Sequence, residues 1–282
     1  MTAASATSAA GRERVRLADR IEARAYADLY GAAPAALKSR LGLRTEYRAG
    51  ATVLVAPGLP TPMFNRVIGV GTEHAATPRE IESLLELYRS AAVPRWWLHW
   101  SPCAEPGDGL ALLAPMGFAV SARRNWAQMQ RSTADPPRVR SELGIEAATA
   151  ITVGAAAACI ARGFGMPDFV GDWIAALHGR RSWCVYAVAD GDTVVGGACL
   201  FVDGDAAWLG MAAVLPSHRR RGGQGALMAR RIADAGAAGC ELVATETGEP
   251  VGDELNPSLA NMVRHRFRCV ASRLNFEYAA AV

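Results

Sequence analysis

Apolar positions recur along the chain with two periods, and their order gives the first account of the fold. Residues 15–40 keep helical spacing, interrupted near Gly31 and Pro34, which predicts one or two helices. Residues 52–56 and 65–70 (NRVIGV) are short apolar, β-branched runs that read as strands. Thr77-Pro78-Arg79-Glu80 opens a helix: Thr is the cap, Pro takes the first helical position, and Glu stands three residues after the cap. Leu84, Leu85, Leu87 and Tyr88 supply that helix's apolar face. A strand at 96–100, a helix at 109–116 ending at Gly117, and one further strand within 118–129 complete this half.

A polar stretch, RSTADPPRVR, then breaks the pattern, and Pro136-Pro137 disfavours both helix and sheet interior. The expected division is 1–131, a linker at 132–140, and 141–282. Beyond the linker come a strand (143–147), an Ala-rich helix (151–162) and a second helical stretch (169–177). Three β runs follow at 183–189, 194–202 and 207–214, joined by Asp190-Gly191-Asp192 and Asp203-Gly204-Asp205, turns of the kind hairpins need. A helix (225–238), a strand (241–245), a helix (257–265) and a strand (269–278) close the chain, so the order from Trp183 is βββαβαβ, an α+β layered sheet.

Composition narrows the function classes. With 282 residues, 51% hydrophobic and 20% charged, the chain can build a packed core and has the length of two domains. A net charge of +3 is too small for a nucleic-acid binder, and the basic residues are arginines except for Lys38. The six cysteines stand singly, without a C-x-x-C pair, so neither a disulfide framework nor a metal site is expected. No run approaches the ~20 apolar residues of a membrane span. The first twelve residues carry no apolar leader core, so a reduced cytoplasm is the expected setting, with no membrane partner.

The most informative segment is Val214-Leu215-Pro216-Ser217-His218-Arg219-Arg220-Arg221-Gly222-Gly223-Gln224-Gly225-Ala226-Leu227-Met228, between a strand and a helix. A glycine-rich turn there lets backbone N–H groups converge on an anion, and the helix dipole favours negative charge. Three arginines at that end are each unfavourable by ~0.3–1 kcal/mol if unpaired, a sign that a bound polyphosphate would reverse. The P-loop pattern is absent, and the preceding strand belongs to a meander, not to a dinucleotide-binding βαβ unit.

This segment resembles motif A of the GNAT acyl-CoA-dependent N-acetyltransferases, [QR]-x-x-G-x-[GA] after a strand ending V-x-P. In the register set by Pro216 and Ala226-Leu227, Arg219-x-x-Gly222 fits and Gln224 takes the final Gly/Ala position. A shift by one gives Arg220-x-x-Gly223-x-Gly225 with a displaced proline. Downstream, Asn256-Pro257-Ser258-Leu259-Ala260-Asn261-Met262-Val263-Arg264-His265-Arg266-Phe267 resembles motif B, S-x-x-N-x-x-x-x-G-F, with Arg266 in place of Gly. The likeness spans residues 144–278. The first half is similar more faintly, through Leu113-Ala114-Pro115-Met116-Gly117-Phe118, and lacks an Arg/Gly cradle.

The resemblance implies two GNAT-like domains, the first degenerate, each a mixed, mostly antiparallel sheet flanked by helices in α/β/α layers. It implies acetyl-CoA as acyl donor. The pyrophosphate would lie on backbone around Arg219, Arg221, Gly222, Gly223, Gln224, Gly225 and Ala226, and the pantetheine along Ala212 and Val214, with Asn256 and Asn261 on the motif B side. It further implies acetyl transfer to a primary amine, of a small molecule or a peptide, by direct attack. Met262 stands where relatives place an acidic tyrosine, leaving Tyr186 and Tyr278 as the other tyrosines considered. Glu246, at the end of the fifth strand of that domain, is the candidate base or substrate anchor. His218 belongs with the phosphate mouth and His265 with the helix end; Trp183 and Trp208 are core or acceptor walls. The alternative is a catalytically weak acyl-CoA-binding regulatory or scaffold protein, or an interaction protein whose Arg cluster meets an acidic partner.

Overall fold

A computed structural model describes residues 8–121, 125–252 and 254–280. The chain opens with α1 (Ala9–Ala32), capped by the Ser8 side chain, and α2 (Ala35–Leu41), with the break at Pro34. Strands β1 (Arg44–Arg48), β2 (Ala51–Val55) and β3 (Arg66–Ile68) follow; β1, flanked by charged residues, was not foreseen from the apolar pattern. Helix α3 (Pro78–Ser90) has the capping box that its first residues announce: Thr77 accepts from the Glu80 amide and the Glu80 carboxylate from the Thr77 amide. After β4 (Arg95–Trp100), the stretch expected as a single helix is α4 (Gly109–Leu113) plus a 3-10 turn over Ala114–Met116, because Pro115 lacks the N–H to continue it.

The one strand expected within 118–129 is instead two, β5 (Phe118–Val120) and β6 (Trp126–Ser132); residues 122–124 lie outside the described residues. The second half contains β7 (Gly144–Ala147), α5 (Val153–Gly163), α6 (Asp168–Ala175) and the meander β8 (Trp183–Asp190), β9 (Thr193–Asp203) and β10 (Ala206–Val214). Then come α7 (Gly223–Ala237), β11 (Leu242–Gly248), α8 (Pro257–Arg264) and β12 (Arg268–Ala279). Gly191 and Gly204 take positive φ in the meander's two turns.

The strands form one sheet in the order β1-β2-β3-β4-β12-β6-β11-β10-β9-β8-β7, with β5 beside β12. Two strands cross between the halves. From the first half, β6 pairs along its whole length with β11. In return β12 pairs with β6 over residues 268–273 and then continues between β4 and β5 over residues 274–279.

Helices cover both faces, giving α/β/α layers. One continuous core joins α1 and α2 to α5 and α6 across the same face, through Ile21, Tyr30, Ile160, Trp173 and Trp208. On the other face, α7 and α8 pack on the second half through Leu227, Ile232 and Met262, and α3 packs on the first half through Ile81, Leu84 and Tyr88. α1 therefore crosses the seam and touches strands of both halves.

Candidate functional site

The site begins where two parallel strands part. β10 and β11 are paired only from Ala206–Leu242 to Trp208–Ala244. Beyond that, β10 stays with β9 and β11 stays with β6, so the facing edges of β10 and β11 are left unzipped. The Thr245 hydroxyl donates to the Leu209 carbonyl (2.7 Å) at the base of the gap. A bulge between Gly210 and Ala213, with Met211 at φ +50°, re-aims β10 along the gap. Beneath it Arg231 of α7 is buried and donates to the carbonyls of Gly210 (3.2 Å) and Cys199 (3.1 Å). With carbonyls and no carboxylate around it, burial pushes the Arg231 pKa down to about 10. Ala212 lies in the bulge and Val214 ends the strand, both on the unzipped stretch.

At the mouth of the gap the chain turns through Pro216–His218 into α7. Gly222 is required twice over: its φ is +83°, and a Cβ there would stand 2.5 Å from the Arg140 carbonyl oxygen of the linker. The α7 N-terminus has neither a side-chain cap nor an acidic residue in its first turn. Arg221, however, is not free for an anion. Its guanidinium donates to both Asp190 oxygens (2.6 and 3.1 Å) and to Glu142 (2.8 Å), which also draws the Asp190 pKa below the usual carboxylate range. His218 lies 3.5 Å from the same Asp190. Among the described residues Arg219 and Arg220 have no carboxylate partner and remain exposed; Arg219 donates to the Val214 carbonyl (3.2 Å). Gln224 and Ala226 are partly exposed on the first turn, Gly223 is buried against Leu143, and Gly225 faces His265 and Val139.

On the α1 side of the gap, Glu246 lies two residues past the last β10–β11 pair. Its carboxylate accepts from the Trp208 indole N–H (2.8 Å). Desolvation, reinforced by nearby Glu22, pushes its pKa up to about 8, against the opposing pull of Trp208, Arg273 and Arg66. The Trp208 ring is aimed there because Gly210 leaves room: a Cβ at 210 would fall 1.9 Å from it. Tyr26 of α1 meets Trp208 edge-on, centroids 5.2 Å apart.

Residues 160–253 match the family model described as the Acetyltransferase (GNAT) family. The chain carries a GNAT domain. The match covers the splayed strands and the α7 loop and stops just short of α8. The overall fold is shared with a GCN5-related N-acetyltransferase from Kribbella flavida (16% identity, 92% of this chain and 96% of that chain, TM-score 0.61). It is shared too with a GCN5-related N-acetyltransferase from Sphaerobacter thermophilus (15%, 86% and 84%, 0.60). A third similar structure is a tandem GNAT protein from the clavulanic acid biosynthesis pathway (16%, 82% and 79%, 0.58). No curated protein matches the chain.

The remaining sequence-predicted residues of the second half are placed as follows. Asn256 caps α8, accepting from the Leu259 amide (3.0 Å), and donates to Thr247 (3.1 Å), so its side chain fastens α8 to the end of β11. Asn261 accepts from Arg264 (2.7 Å). Met262 is buried in the core under α7. Tyr186 donates to Asp234 (2.7 Å) and Tyr278 packs beside Trp96 and Phe118, each engaged away from Glu246. His265 is buried, and desolvation lowers its pKa. Trp183 donates to Asp28 (2.8 Å) and packs on Phe201.

The first half has the same parallel pair, β3 beside β4, but its gap is filled. Glu105 donates its amide to Gly71 (2.8 Å) and accepts from the Ala76 amide (2.7 Å), and α3 supplies its own anion in Glu80. The sequence reading missed the residues that the first half contributes to the Glu246 side: Glu22 and Tyr26 on α1 and Arg66 on β3. Two signals were present. Asp19 and Glu22 alternate with Ala18, Ile21 and Ala25 on the buried face of α1, and Arg66 interrupts an apolar strand.

Proposed function

We propose that the protein transfers an acetyl group from acetyl-CoA to an amine, with the donor held in the second half and the acceptor between the halves. The single observation that carries this reading is the parallel pair β10–β11, which unzips at Trp208–Ala244 directly before an uncapped helix N-terminus. An extended pantetheine arm can take the place of a missing strand partner along Ala212–Val214, and a pyrophosphate suits the first turn of α7. Arg219 and Arg220 are the cations left for its charge.

In the reaction the amine lone pair attacks the acetyl carbonyl carbon. A C–N bond forms, the C–S bond breaks, and the nitrogen's proton passes to the Glu246 carboxylate. The leaving sulfur departs as thiolate, which a pKa of ~8.5 allows near neutral pH without a donor at Met262. Trp208 positions Glu246, and its indole N–H stabilises the ionised carboxylate that must accept the proton.

Isothermal titration with acetyl-CoA, followed by a thiol-release assay on a panel of primary amines, tests this. Micromolar binding and amine-dependent release of CoA support it. Binding without release for any amine favours an acyl-CoA-binding regulatory protein, and absence of binding overturns the reading.

A further inference from the structure

Among the described residues, most of the buried side-chain polar atoms without a hydrogen-bond partner gather in one place, under α1 at the seam between the halves. They include Asp19 Oδ2, Gln128 Oε1, Arg273 Nε and all three guanidinium nitrogens of Arg66. Arg66 decides the chemistry. Its side chain is fully buried, and its nearest carboxylate, Glu22, stands 3.8 Å away, beyond hydrogen-bonding range. Both Glu22 oxygens are instead taken by Arg273 (2.6 and 3.1 Å), which also holds Asp19 (2.9 Å). Tyr26 and Trp126 rings lie over the Arg66 guanidinium at 3.9 and 5.2 Å. Apart from Tyr26, its N–H fork is thus left without a side-chain acceptor, and that fork is the part of an arginine that matches a planar carboxylate.

Arg66 is also tied by direct contacts to Glu246. Arg66 touches Tyr26, Tyr26 touches Trp208, and Trp208 donates to Glu246. We propose that the acceptor is a small amine bearing one carboxylate, whose carboxylate is gripped by Arg66 of the first half while its amine faces Glu246 of the second. This rests on the acetyltransferase reading above. Charge balance selects this class. Arg66 and Arg273 are already offset by Asp19 and Glu22, so a zwitterion adds no net charge to the seam. A phosphate ester would bring a second negative charge with no cation to meet it. Tyr26 and Glu246 are partly exposed, and Arg66, in contact with Tyr26, is fully buried.

The test pairs each common L-amino acid with its carboxamide as acceptor and as ligand, using the full chain loaded with acetyl-CoA. The expected result is that at least one amino acid is acetylated with kcat/KM about 10–100-fold above its amide, the scale of one charge-assisted hydrogen-bonded pair. Arg66→Gln should erase that preference by raising KM for the acid far more than for the amide while acetyl-CoA still binds; the pH limb of both substrates moves to higher pH together, because Arg66 no longer opposes the burial of Glu246. Arg66→Lys should recover part of the preference. Equal use of acids and amides by the wild type overturns the proposal without any variant. So does acetyl-CoA binding with no amino acid bound or acetylated, or an Arg66→Gln that loses both substrates in proportion. Failure to bind acetyl-CoA at all is the separate failure of the acetyltransferase reading.

Discussion

Glu246 is a carboxylic acid kept in surroundings that resist its ionisation, and the base role proposed for it requires the ionised form. With its pKa raised to about 8, the fraction of active enzyme grows as pH rises and levels off above that value. The pH–rate profile of kcat/KM should therefore climb through pH 8. Glu246→Gln should lower kcat by about 10²–10⁴-fold and remove this limb. Stability carries the opposite sign. Between the ordinary value of 4.5 and about 8 the folded state binds the proton that the unfolded state has released, so stability falls as pH rises through that window. Glu246→Gln should flatten this decline, which thermal melts at pH 5 and pH 8.5 would show. Gly210 is the complementary residue. Gly210→Ala must displace the Trp208 ring and its hydrogen bond to Glu246, so it should destabilise by about 1–3 kcal/mol and reduce activity together.

Helix α7 begins without the acidic residue that most helices recruit, while α3 carries its own in Glu80. Gln224→Glu separates folding from binding, because the dipole welcomes a negative side chain that a bound pyrophosphate repels. The variant should gain about 0.3–1 kcal/mol in stability, measured by denaturant melts, while its acetyl-CoA affinity falls. A parallel fall in both would point to damage at the loop. At the end of α8, Arg266 sits at φ +64°, in the place where motif B relatives have glycine. The left-handed region is unfavourable for a non-glycine residue by roughly 1–2 kcal/mol, and glycine's greater freedom in the unfolded chain returns roughly 0.5–1 kcal/mol of that. The Arg266–Asp135 pair (2.8 Å) is largely exposed to solvent and adds little. Arg266→Gly should accordingly stabilise by up to about 1 kcal/mol, readable as a raised melting temperature.

The two halves are interleaved by β6 and β12, which makes their separation costly in a defined way. A fragment of residues 141–282 loses β6 from between β11 and β12, and leaves residues 274–279 without β4 and β5. Such unpaired edges, with Phe276 buried in the other half's core, favour aggregation. Expressed alone, neither 1–140 nor 141–282 should melt cooperatively, and co-expression should restore one transition; a cooperative melt of 141–282 alone would contradict the interleaving. The same arrangement lays α1 across the seam and brings Arg66 to the Glu246 side, so the proposed acceptor region is composite where the proposed donor loop belongs to one half.

Local chemistry was enough to read the helices, the meander and the glycine-rich turn before α7 from the chain. Capping residues, glycine turns and apolar periods act over a few positions, and the V-x-P, arginine and glycine spacing of 214–226 is contiguous. It could not show that Arg221 is spent on Asp190 and Glu142, or that one strand within 118–129 is two strands serving different parts of the sheet. Those outcomes depend on partners far along the chain, such as Asp190 for Arg221, 31 positions away, and β12 for β6, far more distant still. The pairing of Arg273 with Glu22 spans 251 positions and leaves Arg66 unmatched, a result no local pattern encodes. Sequence determined the strand, turn and helix for which acyl-donor binding is proposed. Only the tertiary structure, by burying charges from distant strands under one helix, decided what faces it across the seam.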